Sequence, residues 1–499
     1  VGRHIVLNED NSHYFFTRCD RRLTETEVDA FVDQYAGTQV GELLFCVNAM
    51  RTSYASGVWE PIWQGFDPQR GEEQPLFASA GPGEKRAGLN WMRTALQLHR
   101  DGIDPYERWI RRSREAGISP WISVRMNDVH NVDDEAHYLH NQLWRERPDL
   151  RRQQDRFEAW TDRAFDYGKQ EVRDYHFALI RELAERYDFD GIELDWMRFG
   201  FHFRPGFERE GAPLLTAFTA SVRRLLDEWE QRRGHRIKLS ARVPSRPDAA
   251  FDLGLDACEW AAQRLVDQLV VTPFWETAET DMPIEAWKQL LRGTPVTLAA
   301  GLELLIRAYP QSPLRQKNTI ETVRGMAMSY LHRGADRIYL FNYMDAMTAI
   351  DDLSQYPRLL QEVGDVATMR GGPRRHVVAY ADTWAPGTPK AHLLPRVCPA
   401  ERHTGLRIHI GEKPAGGQRA YICFAWREQE ADTAFGGEVL VNGRLCKRAE
   451  SFLPEKPLPE EPLHAFEVPE EALKDGFQYV EIKPAGRELT LTWAEIAVL

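Results

Sequence analysis

The chain has 499 residues, with 75 Asp and Glu against 63 Lys and Arg and a formal net charge of −12. That sign argues against nucleic acid or an anionic membrane surface as the main partner, and no run approaches the roughly 18 apolar residues of a membrane helix. Six cysteines (Cys19, Cys46, Cys258, Cys398, Cys423 and Cys446) lie far apart with no C-x-x-C pair, so core thiols are expected in place of a zinc cage or a disulfide framework.

The chain begins at Val1, so either a leader has been removed or the sequence is trimmed; a removed leader would favour a secreted or periplasmic location, and the compartment stays open. Oligomeric state stays open.

From the first apolar run, Ile5–Asn8, strand-like segments alternate with patterns of helical spacing. A helix over Thr24 to Tyr35 leads to a strand at Glu42–Ala49, and a helix over Tyr106 to Ala116 leads to Trp121–Asn127. Lys169 to Tyr187 precedes Gly191–Asp195, and Leu214 to Arg233, stopped by Gly234, precedes Lys238–Val243. Leu255 to Leu265, Ile284 to Leu291 and Thr319 to Arg333 separate the strands Gln268–Thr272, Val296–Gly301 and Ile338–Asn342, and Gln355 to Ala367 closes the series. Eight strands each followed by a helix predict an α/β fold, a (β/α)8 TIM barrel over residues 1–369. The alternative is a doubly wound open sheet, but no G-x-G-x-x-G turn follows the first strand.

Beyond Gly371 alternation replaces helical spacing: Leu406–Ile410, Tyr421–Trp426, Glu438–Val441 before an Asn442-Gly443 turn, Tyr479–Ile482 and Leu489–Trp493. This predicts a C-terminal all-β sandwich over residues 370–499, with Pro454, Pro457, Pro459 and Pro462 in a loop.

Reactive groups in a barrel come from the carboxyl ends of the strands, where the long loops Arg51 to Asp101, Asp128 to Gln153 and Phe199 to Ala212 also lie. Outward residues meet helices and are apolar, which sets the parity. Ile192 and Leu194 point out, so Glu193 and Asp195 point in; Val296, Leu298, Ala300 and Leu302 point out, so Glu303 points into the mouth. Arg125, Asn127 and Arg242 also point inward, and Glu193 is expected to pair with Arg125 or Arg242, since a buried charge is costly alone. Asp195 and Glu303 are the candidate catalytic carboxylates, facing each other as glycosidic cleavage requires. Glu276 is a rival acid on a strand whose parity is ambiguous. Asn48, Asn342, Tyr343 and Asp345, with Glu9, Asp10 and Asp128, are further mouth candidates, and His13, His130 and His202 lie near them.

The segment Asp188-Phe189-Asp190-Gly191-Ile192-Glu193-Leu194-Asp195-Trp196-Met197-Arg198-Phe199 resembles the D-G-I-x-x-D stretch on the fourth strand of barrel glycosidases. With Trp121 to Asp128 and Leu143 to Pro148 it makes residues 1 to about 369 similar to a glycoside hydrolase family 10-like group of barrel hydrolases. The resemblance implies carbohydrate hydrolysis with Asp195 central. Either Asp195 is acid/base and Glu303 nucleophile, or Asp195 attacks and Glu276 is the acid. Leu194-Asp195 stands where the first pattern has Asn-Glu, so the roles stay open.

Among the 15 tryptophans, Trp59, Trp63, Trp91, Trp196 and Trp275 fall in mouth loops or past strand ends, where flat rings stack on sugars or simply pack the loops. Arg51, Arg125, Arg198, Arg204, Arg242 and Arg246 gather there too. They either recognise an anionic sugar, uronate or sulfated, or neutralise Glu193, Asp195 and Glu303. No H-E-x-x-H, phosphate loop or G-x-S-x-G elbow is present, and neither metal nor cofactor is expected. Two competing readings are a non-catalytic carbohydrate-binding barrel and a uronate lyase with Tyr343 or a histidine as base.

Overall fold

A computed structural model describes residues 2–427, 435–449 and 463–499. Eight parallel strands close into a barrel: β1 (Ile5–Glu9), β2 (Val40–Cys46), β3 (Ser119–Arg125), β4 (Gly191–Asp195), β5 (Lys238–Pro244), β6 (Gln268–Thr272), β7 (Thr297–Leu302) and β8 (Arg337–Phe341). Neighbours in sequence are neighbours in the ring, and β1 pairs β8 to complete it. Strand ends move by a few residues for identifiable reasons. β2 stops at Cys46, short of Ala49, because Asn48 turns its amide to the carbonyls of Ala49 and Arg125. β8 stops at Phe341 because Asn342 is left-handed, with φ +63°.

The interior follows the expected parity. Val6, Leu44, Trp121, Val270, Ala299, Tyr339 and Phe341 form an inner apolar cluster, whereas Ile192, Leu194, Leu239, Ala241, Leu298 and Ala300 join the larger core between barrel and helices. Val270 also resolves the parity of β6: Leu269 and Val271 face out. Gly191 is required where β4 begins, since a Cβ there would lie 2.4 Å from the Trp121 ring that fills the barrel floor.

The helices match the expected ones, with Gln355 to Ala367 divided into Tyr356–Glu362 and Val366–Met369. Outside that set lie the short helices His13–Thr17, Gln142–Glu146 and Pro247–Asp252 and a longer one, Pro82–Arg100, nineteen residues inside what the sequence presented as a long loop. Its start carries Pro82 in the first turn and Glu84, whose carboxylate accepts the Gly81 amide at 2.8 Å, a recognisable opening. It buries Leu89, Trp91, Met92, Ala95 and Leu98 in the core around the barrel and packs against the short helix His13–Thr17.

The C-terminal strands form two antiparallel sheets. Leu489–Val498 is central to the larger, pairing with Arg374–Val377, Ala420–Trp426 and Arg396–Cys398; Phe477–Pro484 is central to the smaller, between Thr404–His409 and Gly437–Val441. Ile422, Phe424, Leu491 and Ile496 from one sheet meet Leu406, Ile408, Val439, Val480 and Ile482 from the other in a shared core, which makes a sandwich. Asn442 and Gly443, both at positive φ, make the expected tight hairpin turn. The prolines from Pro454 to Pro462 lie outside the described residues. The sandwich docks directly on the barrel: helix Ile320–His332 approaches Arg374–Val377 so closely that a Cβ at Gly325 would sit 2.0 Å from the Arg375 carbonyl. No helix among the described residues is long and apolar enough to cross a membrane.

Candidate active site

Above the apolar floor the barrel axis turns polar. Glu193 accepts the hydroxyls of Ser123 and Tyr339, both at 2.8 Å, and faces the Asn8 amide at 3.4 Å. This corrects the expectation that it pairs with Arg125 or Arg242: Oε1 takes the two hydroxyls, Oε2 has no hydrogen-bond partner, and burial, then the adjacent Asp195, push the carboxyl up toward the neutral form. Arg242, fully buried, turns instead to Asp195, placing Nη1 3.2 Å from both carboxylate oxygens and Nη2 3.8 Å from Glu303. Its guanidinium rests 3.9 Å from the centre of the Phe341 ring. Arg242 thus links the carboxylates at the ends of β4 and β7.

Over this layer opens a cleft of about 380 Å³ whose walls include Asp10, His13, Trp91, Arg125, His130, Arg198, Trp275, Glu303, Arg315 and Asn342. Its two carboxylates live in opposed environments. Glu303 is 3% exposed, Oε2 accepts the Leu304 amide at 3.2 Å and Oε1 has no hydrogen-bond partner. Burial pushes Glu303 up to about 7 against the pull of Arg198 and Arg242. Asp10 is partly exposed, and although desolvation acts to raise it, its ion pair with Arg125 and the Ser12 hydroxyl and amide hold it down to about 2. Environment thus pushes the two carboxyls in opposite directions, Glu303 toward the protonated form and Asp10 toward the ionised one.

Around them the positive charge is unevenly spent. Arg125 is paired with Asp10 and, at 3.2 Å, with Asp128, whose other partner is the His130 ring at 2.9 Å. Arg198, 5% exposed, has no acidic group within ion-pair distance among the described residues, and its Nε and Nη1 make no hydrogen bond. It lies between the rings of Phe199 and Phe341 at 5.1 and 4.8 Å. Trp275, 42% exposed, forms the outer wall, with the Arg315 guanidinium 4.8 Å over its ring. Asn342, at positive φ, turns the chain at the mouth.

Of the residues expected at the mouth, Arg125, His130, Arg198, Trp275, Glu303 and Asn342 meet in this cleft, as do Asp10, His13 and Trp91. Others do not reach it. Asp195 points inward as expected, but it is 1% exposed and held beneath the cleft by Arg242 and the Met197 amide. Glu276 turns aside to the Tyr380 hydroxyl at 2.6 Å. Asn48 stitches β2 to β3 through the Arg125 backbone, and Asn127 binds the backbone of Phe165 and Phe201. Arg51 is consumed by the carbonyls of His140 and Gln64. Trp196 follows outward parity into the core among Tyr167, His202 and Phe218. Tyr343 donates its buried hydroxyl to the Glu303 carbonyl at 2.9 Å, which takes away the tyrosine base of the lyase reading. Asp345 pairs with Arg18 at 2.5 Å and approaches His13 at 3.4 Å. Arg315 was missed altogether, because its partner ring lies forty residues earlier in sequence and nothing local marks it.

No family model matches the chain, and no curated protein matches it. Among solved structures it is similar over 99% of its length to a cycloisomaltooligosaccharide glucanotransferase from Paenibacillus sp., at 10% identity and a TM-score of 0.33, and spans 57% of that chain. It is similar over 96% of both chains to α-L-fucosidase isoenzyme 1 from Paenibacillus thiaminolyticus (13%, TM-score 0.34). It covers 99% of the PgaB (BpsB) glycoside hydrolase domain from Bordetella bronchiseptica with 73% of its own length (11%, TM-score 0.41). Those neighbours are carbohydrate-active enzymes; at such identities and scores the likeness carries nothing about the reaction, and the chemistry of this chain has to come from its own cleft.

Proposed function

We propose that this protein is a glycoside hydrolase that cleaves a glycosidic bond in a poly- or oligosaccharide bearing acidic groups, uronate or sulfate. The observation that carries this reading is the pair Glu303 and Asp10 on one cleft, the first held protonated up to about pH 7 and the second ionised from about pH 2. Glu303 gives its proton to the departing glycosidic oxygen as the anomeric C–O bond breaks, and Asp10 supplies the negative charge that the developing oxocarbenium ion needs. A water then adds to the anomeric carbon, its released proton restoring the acid form of Glu303. Asp195 acts through Arg242, which it orients toward Glu303. The half-exposed Trp275 offers a flat face to a sugar ring, and the unpartnered Arg198 offers a fork for a carboxylate or sulfate.

The test is reducing-end release from a panel of neutral and acidic glycans, with Glu303→Gln and Asp10→Asn beside the parent. Loss of turnover by about 100-fold or more with glycan binding retained is the expected result. Undiminished turnover in Glu303→Gln would sink the assignment. The sealed position of Asp195 favours a second reading, a carbohydrate-binding barrel without catalysis; sugar binding by a parent that cleaves nothing in the panel would establish it.

A further inference from the structure

Between its strands Arg374–Val377 and Arg396–Cys398 the sandwich sends residues 379–383 against the barrel, along the loop that follows β6. That loop, Phe274 to Glu276, carries Trp275. Three successive amides there all turn to one acceptor: Phe274 donates to Asp382 Oδ1 at 2.8 Å, and Trp275 and Glu276 donate to Oδ2 at 2.8 and 2.9 Å. The Thr383 hydroxyl closes the set on Oδ1 at 2.8 Å. Two residues earlier, Tyr380 donates to the Glu276 carboxylate at 2.6 Å. The other side of the loop is gripped by Arg315, which donates to the carbonyls of Trp275 and Glu276 at 2.6 and 3.1 Å.

Consecutive amide N–H groups converging on a point form an anion-binding concavity, and here a protein carboxylate fills it permanently. A loop of this kind has no strand or helix ladder to fix it, so its shape depends on the side chains that grip it, and Asp382 takes all three of its amides. We propose that Asp382 is a positioning residue of the cleft: by holding the 274–276 turn it presents the Trp275 ring to substrate, so that the sandwich segment builds one wall of the site. The role rests on the reading of the cleft as a carbohydrate site, but the clamp itself is testable without any sugar.

The experiment compares Asp382→Ala, Asp382→Asn and Trp275→Ala in the full chain. Hydrogen exchange of the peptide spanning 273–277 speeds up at least about tenfold in Asp382→Ala and less in Asp382→Asn, which keeps one acceptor oxygen. The acrylamide-quenchable fluorescence that Trp275→Ala removes changes in the same two variants, while the thermal midpoint of Asp382→Asn stays near the parent's. On a glycan that the parent cleaves, Asp382→Ala raises KM about tenfold with kcat within twofold, as Trp275→Ala does, and the double variant is no worse than either single. Unchanged exchange and quenching in Asp382→Ala overturn the clamp, whether or not any glycan is turned over. Altered exchange with KM effects that add in the double variant overturns its role in presenting Trp275. If no glycan in the panel is cleaved, exchange and quenching still decide the clamp while the hydrolase reading falls separately.

Discussion

Arg242→Met strips the guanidinium from the layer beneath the cleft while filling most of its volume. The guanidinium is fully buried, stands 3.2 Å from both oxygens of Asp195 and 3.8 Å from Glu303, and lies 3.9 Å from the Phe341 ring centre. Removing one partner of a buried ion pair strands the other charge and costs about 3–5 kcal/mol. The lost cation–π contact, up to about 2 kcal/mol when desolvated, overlaps that figure and is not added to it. Urea unfolding at pH 7, followed by tryptophan fluorescence, should therefore show a loss of about 3–5 kcal/mol. Adding Asp195→Asn removes the stranded charge while its amide oxygen still accepts the Met197 N–H seen at 3.0 Å in the parent, so the double variant recovers at least about half of the loss. Arg242 also draws the Glu303 carboxyl downward, so the single variant moves the basic limb of any activity profile above about pH 7. A single-variant loss under about 1 kcal/mol, or a double variant no more stable than the single, would refute the ion-pair account.

Glu303 is protonated below about pH 7, so kcat/KM of the parent declines above that pH and Glu303→Gln has no such limb; a parent profile flat from pH 6 to about 9 contradicts the acid role. Because this carboxyl binds its proton more tightly folded than unfolded, where it titrates near its ordinary 4.5, the parent loses stability as pH rises from about 4.5 to 7. Glu303→Gln should gain on it by up to about 1.4 kcal/mol per pH unit across that window, read from urea midpoints at both ends, and a constant difference would speak against it. Arg198→Gln should cut affinity for oligogalacturonate about tenfold or more and leave a neutral oligosaccharide within about twofold, measured by calorimetry; equal losses for both probes remove the anionic-substrate reading. Gly191→Ala drives a Cβ to 2.4 Å from the Trp121 ring and should destabilise by about 1–3 kcal/mol, whereas a neutral thermal shift would mean that the Trp121 ring can give way.

The barrel was legible because strand parity and helical spacing are local consequences of two-sided burial: an outward residue meets a helix and an inward one does not. That rule placed Glu193, Asp195, Arg242 and Glu303 on the inner wall, and alternation past Gly371 foretold the paired sheets. The helix Pro82–Arg100 was also written in its Gly-Pro-x-Glu start and went unread inside a long loop. What parity does not carry is depth and partner. Whether an inward carboxylate reaches solvent depends on what closes over it: Arg242 and the turn at Met197 seal Asp195, whereas Glu303 meets the cleft. Pairing is likewise settled by distances between residues far apart in sequence, as with Tyr339 on Glu193, Arg315 on Trp275 and Asp382 on the Trp275 loop. Local pattern determines which way a side chain points, because backbone geometry repeats along the strand; only the packed ring determines which charge it meets, because electrostatic partners are chosen through space.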